Sequence, residues 1–326
     1  MSSRNNTHLL EVSRLNVEYL TKKGTVKALR DVTFKLDSGT ALGIVGESGC
    51  GKSTLAFSII RCIQPPGFIT SGSIFFDGVD LLQLSENKMR KMRGKNISLI
   101  PQDPMTSLNP VMRVGEHFME MIGNHEPHLD KAERKKRALD ILEKLGIPSE
   151  RFKDYPHQFS GGMRQRVMIG LALLLNPKLV IADEPTTSLD ALVEAQILEL
   201  IQKLTKELSL TLILITHNIG VVAEICNRVI VMYAGQIVEE ANTLQLFDKP
   251  LHPYTEALLA SVPNPIEEIK KLNWIPGSPP NLLNLPKGCS FYLRCRYAFD
   301  KCRTTEPELI NLEERRVRCF LYERGE

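Results

Sequence analysis

No stretch of this 326-residue chain approaches the ~18 consecutive apolar residues that a membrane-crossing helix needs. Any contact with a bilayer is therefore expected to run through a partner. The opening residues, Met1-Ser2-Ser3-Arg4-Asn5-Asn6, lack the apolar core of a secretory signal, so a cytosolic chain is expected. An excess of either charge is also missing, with 41 Lys and Arg against 38 Asp and Glu. A net charge of +3 does not argue for nucleic-acid binding, and the basic stretches Lys88 to Lys95 and Lys131 to Arg137 read as solvated helix faces. No two cysteines have C-x-x-C spacing, which counts against a zinc ribbon or knuckle. Structural disulfides are not expected in the cytosol. No internal repeat, tandem copy or long coiled-coil insertion is visible.

What remains is the composition of a soluble globular protein, long enough for one large domain and an appendage. Leu9 to Leu36 alternates apolar and polar residues around a turn at Lys22-Lys23-Gly24, which predicts antiparallel strands. Ala41-Leu42-Gly43-Ile44-Val45 is a short apolar run typical of a buried parallel strand. Ile97 to Ile100 and Leu212 to Ile215 read the same way. Between Asp103 and Gly162 the chain turns polar and helical, with Ala138, Ile141, Leu142 and Leu145 on one face. Ile197, Ile201, Leu204 and Leu208 mark a later amphipathic helix. Six prolines between Pro263 and Pro286 interrupt regular structure there. The expected organisation is a nucleotide-binding domain over residues 1–250, with a helical subdomain at about 103–165, and a loop-rich extension over 251–326.

The chemistry begins at Gly46-Glu47-Ser48-Gly49-Cys50-Gly51-Lys52-Ser53-Thr54, a G-x-x-x-x-G-K-S loop between a strand and a helix expected over Lys52 to Cys62. Glycines at 46, 49 and 51 let consecutive backbone N–H groups turn toward phosphates, and the helix N-terminus adds positive potential. Lys52 is placed to reach the β- and γ-phosphates, Ser53 to ligate Mg²⁺, and Thr54 to contact the α-phosphate. Asp183 ends the apolar run Leu179-Val180-Ile181-Ala182, where a carboxylate can hold Mg²⁺ through water. Glu184 can then orient the attacking water. His217 follows the Leu212 to Ile215 strand; alone it would read as structural, but in this company it reads as a contact to the γ-phosphate or the water. Phe159-Ser160-Gly161-Gly162-Met163-Arg164-Gln165-Arg166, shortly before the acidic pair, completes the set.

With these motifs the chain resembles the ATP-binding cassette (ABC) transporter ATPases, and within them the ATP-binding subunits of dipeptide and oligopeptide permeases. Met163 with Arg-Gln-Arg after Ser-Gly-Gly, Asp154-Tyr155-Pro156-His157-Gln158, and Leu251-His252-Pro253-Tyr254-Thr255 carry the narrower likeness. The resemblance implies an α/β fold: a RecA-like P-loop NTPase core, an antiparallel β-subdomain, an inserted helical subdomain and the C-terminal extension. It implies that Tyr19 stacks on adenine and that Gln102, in Ile100-Pro101-Gln102-Asp103, senses Mg²⁺ and contacts a membrane subunit. Ser160-Gly161-Gly162 would be the signature, Ser188-Leu189-Asp190 the D-loop and His217 the switch histidine. In such a family two cassettes face head to tail, and each signature covers the γ-phosphate held by the other. The implied cofactors are ATP and Mg²⁺. The implied partners are a second, homologous ATPase, two transmembrane permease subunits and, indirectly, an extracytoplasmic peptide-binding protein, at the cytoplasmic face of the cell membrane, with no nucleic acid. Importers of nickel or glycosides, and soluble cassette ATPases of DNA repair or translation, are the alternatives.

Cys289, Cys295, Cys302 and Cys319 crowd the last segment. Thiolates there suit a tetrahedral metal site, an iron–sulfur cluster or reduced, metal-free cysteines. The resemblance implies a [4Fe–4S] cluster in some members, with Arg294, Arg296, Arg303 and Arg318 offsetting its charge.

Overall fold

The first strand already shows how sequence pattern sets structure in this computed structural model. β1 (Leu10–Thr21) buries Leu10 and Val12, then Leu15 and Val17, so its apolar alternation changes phase midway. A bulge at Arg14, whose φ is 44°, absorbs the extra residue and keeps both pairs on the core side. β1 pairs antiparallel with β2 (Gly24–Leu36) across the expected turn, where the Thr21 hydroxyl donates to the Gly24 carbonyl at 2.7 Å. The structure describes residues 8–187, 189–261 and 275–323; Met1 to Asn6, Ser188, Pro263 and Pro265, which figure in the sequence expectations, lie outside them. The chain forms two compact units. One contains the described residues up to Gln83 and from Leu214 onward, and the other contains Leu84–Ile213.

In the first unit, the wholly buried β3 (Ala41–Val45) leads through the glycine-rich loop into α1 (Lys52–Ile59). That helix stops short of Cys62, because Arg61 takes a left-handed φ of 52°. β4 (Gly67–Phe76) and β5 (Val79–Asp80) complete an antiparallel sheet of order β2-β1-β4-β5.

The second unit opens with α2 (Glu86–Met92) and β6 (Ile97–Ile100), followed by α3 (Pro104–Ser107), α4 (Val114–His125), α5 (Lys131–Lys144) and α6 (Gly161–Leu173). Asp130 and Glu133 form a reciprocal cap at the start of α5. Gly170 of α6 makes room for Leu145 and Phe118; a Cβ there would lie 2.4 Å from Leu145. β7 (Leu179–Asp183) is buried throughout and runs parallel to β6. α7 (Ala191–Glu207) buries Ile197, Ile201 and Leu204. Leu208, expected on the same face, instead caps the helix and is 42% exposed. The lysines of the two basic stretches are solvent-exposed as expected, whereas Arg93 and Arg137 turn back to Glu86 and Glu126.

β8 (Thr211–Ile215) carries the chain back toward the first unit. There α8 (Ile219–Ile225), β9 (Arg228–Tyr233), β10 (Gln236–Asn242), α9 (Thr243–Asp248) and α10 (Pro253–Ala260) follow. α11 (Asp300–Thr304) and the hairpin of β11 (Ile310–Leu312) with β12 (Arg315–Val317) end it. β3 runs parallel to β9, β9 is antiparallel to β10, and β12 adds to β10. The C-terminal region is thus more than loops, since its hairpin extends the sheet that also contains the strand before the glycine-rich loop.

Candidate functional site

Backbone conformation shapes the phosphate loop. Gly46, Gly49 and Gly51 all have positive φ (153°, 77° and 106°), as the spacing predicted. Two of them have a second constraint that the sequence does not reveal. A Cβ on Gly46 would lie 2.2 Å from the Met232 carbonyl, and one on Gly51 would lie 2.6 Å from the Ala28 carbonyl. Gly51 is the N-cap of α1 and supplies no side-chain cap, so no side chain at the cap competes for the first-turn N–H groups. Lys52 is 5% exposed, and its Nζ donates to the carbonyls of Gly46 (2.7 Å) and Glu47 (3.2 Å). Cys50 is buried beside it, and burial pushes its thiol upward, so it stays protonated. Ser53 and Thr54 are half-buried on the first turn, while Ser48 is exposed.

Two residues far along the chain also reach this loop, and sequence reasoning missed both roles. The Glu47 N–H donates to the Tyr254 hydroxyl at 2.8 Å. The Glu47 carboxylate takes a two-pronged contact from Arg294, at 2.6 and 2.9 Å. Tyr254 belongs to the Leu251–Thr255 tract, which was informative only as a likeness. Tyr19 sits on β1 opposite Gly67 of β4, and its ring lies 2.5 Å from where a Cβ on Gly67 would stand. His217 follows β8 and is exposed.

The second unit holds the other predicted residues. Asp183 is 2% exposed at the end of β7. Glu184 follows with a φ of 45°, and its Oε2 accepts from Gln102 Nε2 (2.9 Å) and the Thr187 hydroxyl (3.0 Å). The strand end therefore brings Gln102 and Glu184 into direct contact, and leaves the Gln102 carbonyl oxygen as the atom that can face a cation. Hydroxyl, carboxylate and amide oxygens are hard donors of the kind Mg²⁺ prefers. Ser160 is the N-cap of α6, its hydroxyl accepting from the Met163 N–H at 3.3 Å, with Gly161 and Gly162 on the first turn. Gly162 is obligatory for packing as well, because a Cβ there would lie 2.4 Å from Val193. Asp190 caps α7 through the Val193 N–H at 3.0 Å. That local role accompanies whatever it contributes to a nucleotide.

The four late cysteines line one pocket together with Phe291 and Phe320. Burial raises the thiols of Cys289 and Cys319 to about 12 and about 11, and that of Cys295 upward as well. Among the described residues, however, no group of three or more His, Cys, Asp or Glu side chains is arranged to hold a metal ion. The expected four-cysteine metal site is therefore not supported by the geometry. The expected arginine shell needs correction too. Arg294 is held by Glu47, and Arg318 is buried against the carbonyls of Ile237 and Pro307. Of the four, Arg296 eases thiolate formation at Cys295 while pairing with Glu256.

Residues 29–187 match the ABC transporter family, and residues 238–302 match the oligopeptide/dipeptide transporter C-terminal region. The chain is 50% identical to the oligopeptide transport ATP-binding protein OppD of Bacillus subtilis over 94% of its length and 87% of that protein's. It is 46% identical to the dipeptide transport ATP-binding protein DppD of Haemophilus influenzae, covering 95% of this chain and 94% of the other. Among solved structures, the ATP-binding cassette MJ0796, in a dimeric post-hydrolysis state with ADP and Pi, matches with a TM-score of 0.65 at 28% identity. That match covers 72% of this chain and 98% of that one. CbiO1 of Clostridium perfringens, part of the transporter complex cbiONQ, matches with a TM-score of 0.62 at 30% identity, over 74% of this chain and 92% of its own.

Proposed function

Because the chain belongs to the ABC transporter ATP-binding proteins, in their oligopeptide and dipeptide transport branch, we propose that it is the ATP-hydrolysing subunit of a peptide importer. The observation that carries this reading is that one chain presents two complementary half-sites. One is a glycine-shaped loop running into a helix without a side-chain cap, and the other is the Ser160-capped start of α6. Two such chains, or this chain and a homologous one, complete each other when they face head to tail. MJ0796, with a related cassette, was solved as a dimer.

In this reading Gly46 to Thr54 hold the phosphates, Tyr19 packs on the adenine, and Ser160, Gly161, Gly162 and Asp190 close the site from the opposite protomer. Ser53, Asp183 and Gln102 are the Mg²⁺ donors, directly or through water. Glu184 positions the attacking water, with Gln102 and Thr187 fixing its carboxylate; His217 and Lys52 stabilise the charge on the transferred phosphoryl group. Residues 1–250 form the cassette, with its helical subdomain at about 103–165, and 251–326 the transporter-specific extension. Among the described residues no helix is long and apolar enough to cross a membrane. In this reading two permease subunits hold the chain at the cytoplasmic face. A peptide-binding protein acts on the far side.

Glu184→Gln tests the reading. It is expected to bind MgATP, to lose roughly 100-fold or more in turnover, and to accumulate as ATP-bound dimers when the partner cassette is supplied. Near-normal turnover in this variant would overturn the assignment of Glu184.

The finer part of the proposal is a [4Fe–4S] cluster on Cys289, Cys295, Cys302 and Cys319. Its support is only that all four thiols line one pocket with apolar walls; no three of them stand arranged for a metal among the described residues, so a cluster would have to draw them together. Protein purified without oxygen should carry stoichiometric iron and sulfide, and colourless, iron-free protein would remove the cluster.

A further inference from the structure

Arg294 is held more tightly than a surface arginine. Its side chain is 5% exposed and spans a 3-10 turn (Tyr292–Arg294) and the phosphate loop. One edge of the guanidinium grips both Glu47 oxygens, Nε donates to the Pro276 carbonyl at 2.8 Å, and Nη1 reaches the Tyr233 hydroxyl at 3.2 Å. The rings of Tyr233 and Phe291 lie 5.9 Å from its central carbon. Glu47 is the only acid between Gly46 and Thr54, in a loop whose other features favour anions. Its N–H and its carboxylate are each held by a residue of the C-terminal region, Tyr254 and Arg294. The hydrogen bonds to Glu47 favour the charged guanidinium, so Arg294 keeps its positive charge beside the loop.

We propose that Arg294 is a positioning residue for ATP binding: it neutralises the loop's own carboxylate, turns it toward the C-terminal region, and holds the loop in its open, glycine-shaped curve. The proposal rests on the reading of Gly46–Thr54 as the nucleotide site and adds a regulator of its affinity. The physical basis is Coulombic. A carboxylate released into a phosphate loop repels a triphosphate, and in a partly buried setting that repulsion is weakly screened. The C-terminal region is then a built-in part of the nucleotide site, with Cys295 of the thiol pocket the next residue after Arg294.

The test is calorimetric titration of MgATP onto the full-length chain, in the wild type and in Arg294→Gln, Arg294→Lys, the double variant Arg294→Gln with Glu47→Gln, and Lys52→Ala. Thermal unfolding without nucleotide is measured in parallel. Arg294→Gln is expected to weaken ATP binding roughly tenfold or more, because it leaves the carboxylate unpaired. Arg294→Lys should fall between, keeping the charge without the fork. The double variant should recover most of the affinity, because the repelling charge is gone. Wild-type affinity in Arg294→Gln, or a folded double variant as weak as the single one, overturns the proposal. Should Arg294→Gln fail to fold, a folded double variant with restored affinity upholds the electrostatic role, and a double variant that also fails to fold overturns it. Lys52→Ala keeps the premise separate: if it binds as the wild type does, the nucleotide site itself is misread, whatever Arg294 does.

Discussion

Glu239 is a carboxylate with no exposed side-chain surface in the middle of β10, and its surroundings explain how such a charge is tolerated. Its oxygens accept from the backbone N–H groups of Leu251 (2.9 Å) and His252 (2.8 Å) and from Arg315 of β12 (2.7 Å). Burial holds the neighbouring His252 neutral, at about 3, so its Nδ1 accepts from the Tyr254 N–H at 3.0 Å and caps α10. A single acid thus fastens the start of the C-terminal region and its hairpin to the cassette sheet. Glu239→Ala should leave Arg315 with one uncompensated buried contact and two backbone donors unpaired. The expected loss is about 3–5 kcal/mol of unfolding free energy, as for breaking a buried ion pair by removing one partner. Urea titration of the full chain checks this, and a midpoint unchanged from wild type would show that the carboxylate is not what secures the region.

At the scale of elements, the two half-sites depend on how helices begin. Asp190 caps α7 through the Val193 N–H, and the same residue is proposed to act at the nucleotide. Asn caps about as well as Asp, whereas Ala does not cap. Asp190→Asn should therefore keep the stability of the wild type, and Asp190→Ala should lose about 1 kcal/mol. If Asp190→Asn nevertheless lowers ATPase turnover, its charge acts beyond the cap; equal stability in the Asn and Ala variants would instead refute the capping role.

Such local devices are what the sequence makes legible. Glycine spacing and an apolar run ending in Asp-Glu act within a few residues, so pattern alone placed the loop, the start of α1 and β7, whereas Ser160-Gly161-Gly162 was legible only through the resemblance. Other features were opaque for physical reasons. Arg294 and Glu47 are 247 residues apart, and neither has a local pattern that names the other. Nothing local to the consecutive acids Glu239 and Glu240 signals that they are buried, because their partners, Arg228, the arginines of β12 and the N–H groups of Leu251 and His252, come from other parts of the chain. Leu208 fits the helical period but falls one residue past the end of α7, where the period no longer applies.

Over the whole molecule, these contacts change what the C-terminal region is. MJ0796 matches along 98% of its own length while covering 72% of this chain, so this chain carries residues beyond that likeness. Here the C-terminal hairpin extends one edge of the cassette sheet. β12 pairs with β10, and Arg316 bonds Glu240 and the Thr33 carbonyl. Arg30 of β2 donates to Ser290 and Glu306. Cutting the chain after Pro250 would remove Leu251, His252 and Arg315 from Glu239, Arg316 from Glu240, and Ser290 and Glu306 from Arg30, leaving Glu240 only Arg228 and the Glu239 charge without these partners. The truncated chain should unfold at a markedly lower temperature than the full chain, or aggregate on expression. Replacing Glu239 with Leu in the truncated chain should then raise its unfolding temperature, because the substitution removes a charge that has lost its partner, whereas the same substitution in the full chain should lower it. A truncated chain as stable as the full one, or a Glu239→Leu change with the same sign in both, would mean that the region is an appendage after all and that its arginines do not sustain the sheet.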